Sequence, residues 1–136
     1  MEKRREPVRR IAGAITGVLG ALSALSAPAC ELPPGMRIES ERVSIAYWTI
    51  PAKISVGQPF VLEMAACPKR SAQVSDRVKL DAHMPEHRHG MNYRAKVEPR
   101  GNGRFHSEGW LFHMPGRWEF IFDLGAERLT HSVRVE

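Results

Sequence analysis

Trp118-Glu119-Phe120-Ile121-Phe122-Asp123-Leu124 decides the fold. Trp118, Phe120, Phe122 and Leu124 fall two residues apart, so in an extended chain they point to one side and form an apolar row. The same alternation runs outward in both directions. Downstream, a Gly125-Ala126-Glu127 turn leads to Leu129, His131, Val133 and Val135. Upstream, Phe105 to Phe112 reads as a strand kinked at Gly109 and turned by Pro115-Gly116. Pro99-Arg100-Gly101-Asn102-Gly103 before it is a hairpin turn, because Asn and Gly tolerate the positive φ that tight hairpins demand. Tyr93, Ala95 and Val97 supply the partner strand.

Earlier in the chain, Val43, Ile45 and Tyr47 alternate with Ser44, Ala46 and Trp48. Ile54 and Val56 lead into a Gly57-Gln58-Pro59 turn. Phe60, Leu62 and Met64 form the next row, and Val78, Leu80 and Ala82 follow a polar loop over 68–76. No stretch after residue 30 sustains a helical period. About seven or eight short strands separated by turn signals predict an all-β, immunoglobulin-like antiparallel β-sandwich over 43–136.

The N-terminus reads differently. Lys3, Arg4, Arg5, Arg9 and Arg10 form a basic cluster, and the 19 residues from Ile11 to Ala29 carry no charge. Ala27-Pro28-Ala29 has the small-x-small form of a signal-peptidase site, so 1–29 is expected to be a signal peptide and the protein periplasmic or envelope-associated. The alternative is an uncleaved anchor, since the uncharged run is just long enough to span a bilayer. With 1–29 set aside, 15 basic residues face 13 acidic ones, a formal charge of +2. A balance that small, with no basic patch interleaved by aromatics, argues against nucleic acid as a partner.

Cys30 and Cys67 are the two cysteines. An exported chain permits a bridge between them, which would tie the segment 30–42 to the domain. The competing fate is lipidation of Cys30, which would give the protein a membrane attachment. Ala27-Pro28-Ala29-Cys30 lacks the bulky residue usual three places before a lipidated cysteine.

The chemistry concentrates in His83-Met84-Pro85-Glu86-His87-Arg88-His89-Gly90-Met91, which holds three of the six histidines and two of the six methionines. His113-Met114-Pro115-Gly116 repeats the theme on a second strand end. Pro85 and Gly90 interrupt regular pairing and place the first stretch in a loop at one end of the domain. Imidazole and thioether without thiolate suit copper, with Cu(I) taking both and Cu(II) preferring imidazole. Zinc would use the histidines and gain little from methionine. An extended 87–89 segment would turn His87 and His89 to one side. Met91, His113, Met114, Met84 and His83 are the candidates to complete the shell, provided that the two stretches meet.

The plainer alternative makes His and Arg solvated loop residues and Met84 and Met114 plugs of the core end. The domain would then be a non-metal accessory module that uses the loop to dock a partner. His106 and His131 read as non-ligands, His131 because it is in phase with Leu129 and Val133. No phosphate loop, serine elbow, HExxH or catalytic cysteine is present, so no catalytic residue is assigned and the chain is not read as an enzyme.

Leu80-Asp81-Ala82-His83-Met84-Pro85-Glu86-His87-Arg88-His89-Gly90-Met91, with Gly109-Trp110-Leu111-Phe112-His113-Met114-Pro115-Gly116-Arg117-Trp118, resembles the YtkA-like family of small exported bacterial domains, related to the FixH-like group. The resemblance covers roughly residues 60–136 and rests on Met84, Pro85, His87, His89 and Gly90 and on Met114, Pro115 and Gly116. It implies an immunoglobulin-like sandwich and, through the FixH-like members, a link to the assembly of copper-containing respiratory oxidases. A looser similarity joins the two His/Met stretches to periplasmic copper chaperones of the PCuAC type. Here the first cluster is more compact than theirs, and His113 and Met114 are adjacent. The function expected from the sequence is therefore an exported sandwich that binds copper and holds it or passes it to an envelope protein.

Overall fold

A computed structural model describes residues 30–136; the expected signal peptide and its cleavage motif lie outside the described residues. Nine strands follow one another: β1 (Met36–Glu39), β2 (Val43–Ile50), β3 (Phe60–Pro68), β4 (Lys79–Met84), β5 (His89–Gly90), β6 (Lys96–Gly101), β7 (Arg104–Trp110), β8 (Gly116–Asp123) and β9 (Arg128–Val135). They pair antiparallel throughout, in the orders β1-β2-β3-β7-β6 and β5-β4-β8-β9. Leaving β1 aside, the four-strand run β2-β3-β7-β6 facing β5-β4-β8-β9 is the ABED and C′CFG arrangement of immunoglobulin-like domains. The chain is an all-β sandwich of that kind.

The apolar row of Trp118, Phe120, Phe122 and Leu124 lies at its centre. β8 sits between β4 and β9, and Trp118, Phe120 and Phe122 are wholly buried. Aromatic rings of both sheets interlock there: Phe60 meets Trp110, Phe112 and Phe120 with centroids 5.1–6.3 Å apart. Leu62, Met64 and Phe105 come from the facing sheet, as the alternation of β3 and β7 requires.

Departures from the expected strand set have local causes. β1 forms in the segment 30–42, where no alternation was read, because its backbone pairs with β2 from Met36↔Tyr47 to Glu39↔Ser44. Ile54 and Val56 pack on the core from a connection rather than from a strand. β6 starts at Lys96 and not at Tyr93, since the chain is crossing there from one sheet to the other and Tyr93 is left exposed. The hairpin between β6 and β7 turns through Gly101, Asn102 and Gly103, all at positive φ, as the turn chemistry predicts.

Cys30 and Cys67 form a disulfide with Cα atoms 5.6 Å apart. The bond anchors the start of the described chain to the end of β3, at the rim of the sandwich opposite the His/Met stretches. It leaves no free thiol at Cys30 for lipid.

Candidate metal site

Strand parity sorts the candidate residues first. Along β4, Leu80, Ala82 and Met84 are buried, so Asp81 and His83 face outward. His83 lies opposite Glu119 of β8, and its Nε2 is 3.0 Å from the Glu119 carboxylate. Being adjacent to Met84 in a strand, it belongs to the other face of the sheet, away from the core rim. His83 could complete the expected ligand shell only if the loop folded back toward it; the loop does fold back, but onto the other face.

Met84 is fully buried and lies directly opposite His89 of β5. Directly opposed residues share a face. His89 is therefore drawn to the inner side of the sheet, over the end of the core. The turn that makes this pairing possible is tight: the Met84 carbonyl accepts from the N–H groups of both His87 (3.2 Å) and Arg88 (2.9 Å). Arg88 takes the left-handed conformation, φ 55°. Residues 87–89 are thus not extended as expected. His87 sits in the exposed turn, yet its ring centroid is 5.7 Å from that of His89, because the left-handed residue between them folds the backbone back.

The second stretch arrives at the same rim. The Phe112 carbonyl accepts from the Gly57 N–H at 2.8 Å, and the Met114 carbonyl accepts from the Trp118 indole N–H at 2.9 Å. His113 is pinned between these two bonds. Below it, Phe112 and Trp118 stack with centroids 4.3 Å apart and planes 7° from parallel. The His113 ring stands 5.2 Å from His89, and both imidazoles meet the Trp118 ring nearly edge-on, at 5.5 and 5.9 Å. His89, His113 and Trp118 form one cluster, with His87 at its outer side.

The nitrogen atoms of the two inner rings are differently placed. His89 Nδ1 is 3.0 Å from the Gly90 carbonyl oxygen. A carbonyl can only accept, so this bond calls for the proton on Nδ1; in a neutral ring so bonded, Nε2 carries the lone pair through which an imidazole ligates a metal. His113 Nδ1 is buried and has no hydrogen-bond partner, the one such side-chain atom among the described residues. Two imidazoles bound to one ion through bonds of about 2.0–2.1 Å at a tetrahedral angle hold their centroids about 5 Å apart. The His89–His113 separation is of that size. Among the described residues no group of three or more His, Cys, Asp or Glu side chains is placed to hold a metal ion, so His87, His89 and His113 do not make a closed three-imidazole cage.

The thioethers divide. Met84 lies opposite His89 in the strand pair and Met114 follows His113 in the chain, and both pack on the core. A Cβ on Gly116 would stand 2.9 Å from the Met84 methyl carbon, so that methionine fills the space beside the Met-Pro-Gly turn. Met91 instead lines a groove beside β4 with Val78 and Tyr93, none of them a member of the cluster. His106 is 2.6 Å from the Glu63 carboxylate across the β3–β7 pair. The His131 Nδ1 and the Tyr47 hydroxyl share a hydrogen bond, and burial raises the Tyr47 pKa well above the ordinary phenol range.

Two contributors escaped the sequence reading. Trp118 was counted as core alone, although its place two residues after Met-Pro-Gly puts it beside whatever His113 binds. Arg117, on the outward face, donates from Nε to Glu86 at 2.7 Å and so ties the 85–88 turn to β8. The tie also holds the Glu86 carboxyl below the usual carboxylate range, with the Arg117 hydrogen bond the leading cause.

Comparison with protein-family models, with curated proteins and with solved structures gives no match to the chain.

Proposed function

We propose that this is an exported copper-binding domain, which takes one copper ion at the His/Met rim of the sandwich and holds it or delivers it to a protein of the cell envelope. His89 and His113 are the primary ligands in this reading, His87 is the accessible imidazole at its mouth, and Met84 and Met114 are the neighbouring thioethers. The observation that carries it is the buried His113 Nδ1 without a partner, one ring away from the His89 imidazole, whose Nδ1 lies 3.0 Å from the Gly90 carbonyl oxygen. A buried polar atom left unpaired costs about 1–3 kcal/mol, which a bond to an ion would offset. Thioether neighbours favour copper, as Cu(I), over zinc. The Cys30–Cys67 disulfide accords with an oxidising compartment and thus with export. Kinship with the YtkA-like and FixH-like domains belongs to the same proposal and rests on the two His/Met motifs.

The test is a Cu(I) titration against a competing chelator, using protein produced from the full-length gene and purified from the envelope. Uptake tighter than the chelator, weakened by His89→Ala and by His113→Ala, supports the reading. No uptake, or uptake that neither substitution alters, ends it. A second reading draws on the exposure of Glu86, His87 and Arg88 on a well-tied turn. In it, this surface docks a protein partner without metal, and Cu(I) uptake would be absent while Arg88→Ala weakens the docking.

A further inference from the structure

The three imidazoles of the rim form a row graded by access. His87 is exposed on the turn, His89 is half-buried on β5, and His113 beyond it has a buried Nδ1. His89 is the shared member, its ring centroid 5.7 Å from that of His87 and 5.2 Å from that of His113. Two imidazoles bonded to one ion at about 2.0–2.1 Å hold their centroids about 5 Å apart at a tetrahedral angle and about 6.4 Å apart when the ion lies in line between them. Both separations fall in that interval. By spacing, the outer pair can span an ion as the inner pair can.

The two pairs do not act together. Among the described residues no three such side chains are placed to hold one ion, so His87, His89 and His113 do not close on a single point. His89 has one nitrogen to offer, because its Nδ1 faces the Gly90 carbonyl at 3.0 Å and a neutral ring so bonded carries its lone pair on Nε2. One lone pair serves one ion. A single copper ion can then occupy the outer pair or the inner pair, with His89 common to both. Cu(I), a d10 ion like Zn2+, draws no geometric preference from its d electrons, so exchanging one imidazole for another costs it little.

The outer pair is also held ready. The Met84 carbonyl accepts from the His87 and Arg88 N–H groups, and Arg117 Nε donates to the Glu86 carboxylate at 2.7 Å. These bonds fix the backbone that carries His87 and occupy the carboxylate beside it, leaving the imidazole as the free donor of the turn.

We infer that His87 is the transfer ligand of the site. Copper enters onto His87 and His89, then forms its bond to His113 as the bond to His87 breaks, and it leaves by the reverse path. The inference rests on the copper reading above and adds to it a route and a kinetic role. The ion stays Cu(I) throughout, and only its donor atoms change. A partner receiving it needs to bring a thiolate or thioether no deeper than His87. Because His87 serves both entry and exit, its loss slows both alike and leaves their ratio, the affinity, nearly unchanged.

The test uses protein produced from the full-length gene, purified from the envelope, loaded with one equivalent of Cu(I) and mixed rapidly with the chromophoric chelator bicinchoninate. The colour gives the transfer rate, and competition at equilibrium on the same sample gives the affinity. His87→Ala should slow transfer about tenfold while shifting affinity less than about twofold. His87→Met, which restores a soft donor at that position, should recover most of the rate. An unchanged rate in His87→Ala overturns the inference. Faster transfer overturns it too, by making His87 a lid, as does a loss of affinity matching that of His89→Ala, by making it a third ligand. Absence of any Cu(I) uptake ends the copper reading and this inference with it, whereas normal uptake with an unchanged rate ends this inference alone.

Discussion

The two ends of the sandwich meet the same need, closing a core that the strands leave open, with different chemistry. At the end where β3 finishes, Cys30 is bonded to Cys67, the Ala66 N–H donates to the Gly103 carbonyl at 2.8 Å, and Lys69 bridges Glu39 and the Ser40 carbonyl at 2.9 Å each. At the other end a stacked Phe112–Trp118 pair forms the floor, and His89 and His113 lie over it. The first end is closed by bonds that all find partners. The second keeps a buried imidazole nitrogen without one. Hydrocarbon could have covered that rim without the cost, which is why the unpaired nitrogen, rather than the number of histidines, carries the copper reading.

If the ends are independent, they can be broken separately. The largest effect belongs to the disulfide. Replacing Cys30 and Cys67 together by Ser releases a cross-link between residues 37 apart, and loop-closure entropy puts the loss at about 3–4 kcal/mol. Urea unfolding should show that loss, while copper uptake by the folded fraction stays unchanged. Impaired uptake in folded protein would mean that the two rims are coupled.

A smaller effect, of opposite sign, is expected at the other rim. His113→Leu removes the unpaired nitrogen and keeps an apolar cover, so stability should hold or rise by about 1 kcal/mol as Cu(I) affinity falls. The two quantities are measured on the same sample by urea unfolding and chelator competition. A large loss of stability would instead identify the imidazole as part of the packing.

The smallest change concerns the outward tie. Arg117→Ala frees Glu86 and should speed hydrogen exchange at the His87 and Arg88 amides, without altering the unfolding midpoint measurably. Acid should do the same in the unsubstituted protein. Because the folded Glu86 carboxyl titrates below its ordinary value, its contribution is complete above the ordinary carboxylate range. It disappears as pH falls through the lowered value. Exchange at 87–88 that ignores both Arg117→Ala and acid would show that the Met84 carbonyl alone holds the turn.

Much of the fold was legible because burial on one side of a sheet imposes period two. Trp118, Phe120 and Phe122 announced β8, and Gly101-Asn102-Gly103 announced the hairpin. β1 was not legible, since it is an edge strand with few buried side chains and alternation had little to act on. β5 was hidden for a related reason: two residues carry no period. The site was half legible. That two His/Met stretches could meet was readable from strand ends, but the sequence could not tell His83 from His89. Their separation depends on which residue of β4 lies opposite which residue of β5.

By itself, then, the sequence determined the class of fold, the positions of most turns and the supply of neutral soft and borderline donors, because these follow from local periodicity, backbone preference and side-chain chemistry. The tertiary structure alone decided which donors gather. Pairing Met84 with His89 turned one histidine inward, pairing His83 with Glu119 turned another outward, and the bonds from Gly57 and Trp118 carried His113 across from a distant part of the chain. Register and long-range packing are properties of contacts between segments far apart in sequence, and no reading of either segment alone contains them.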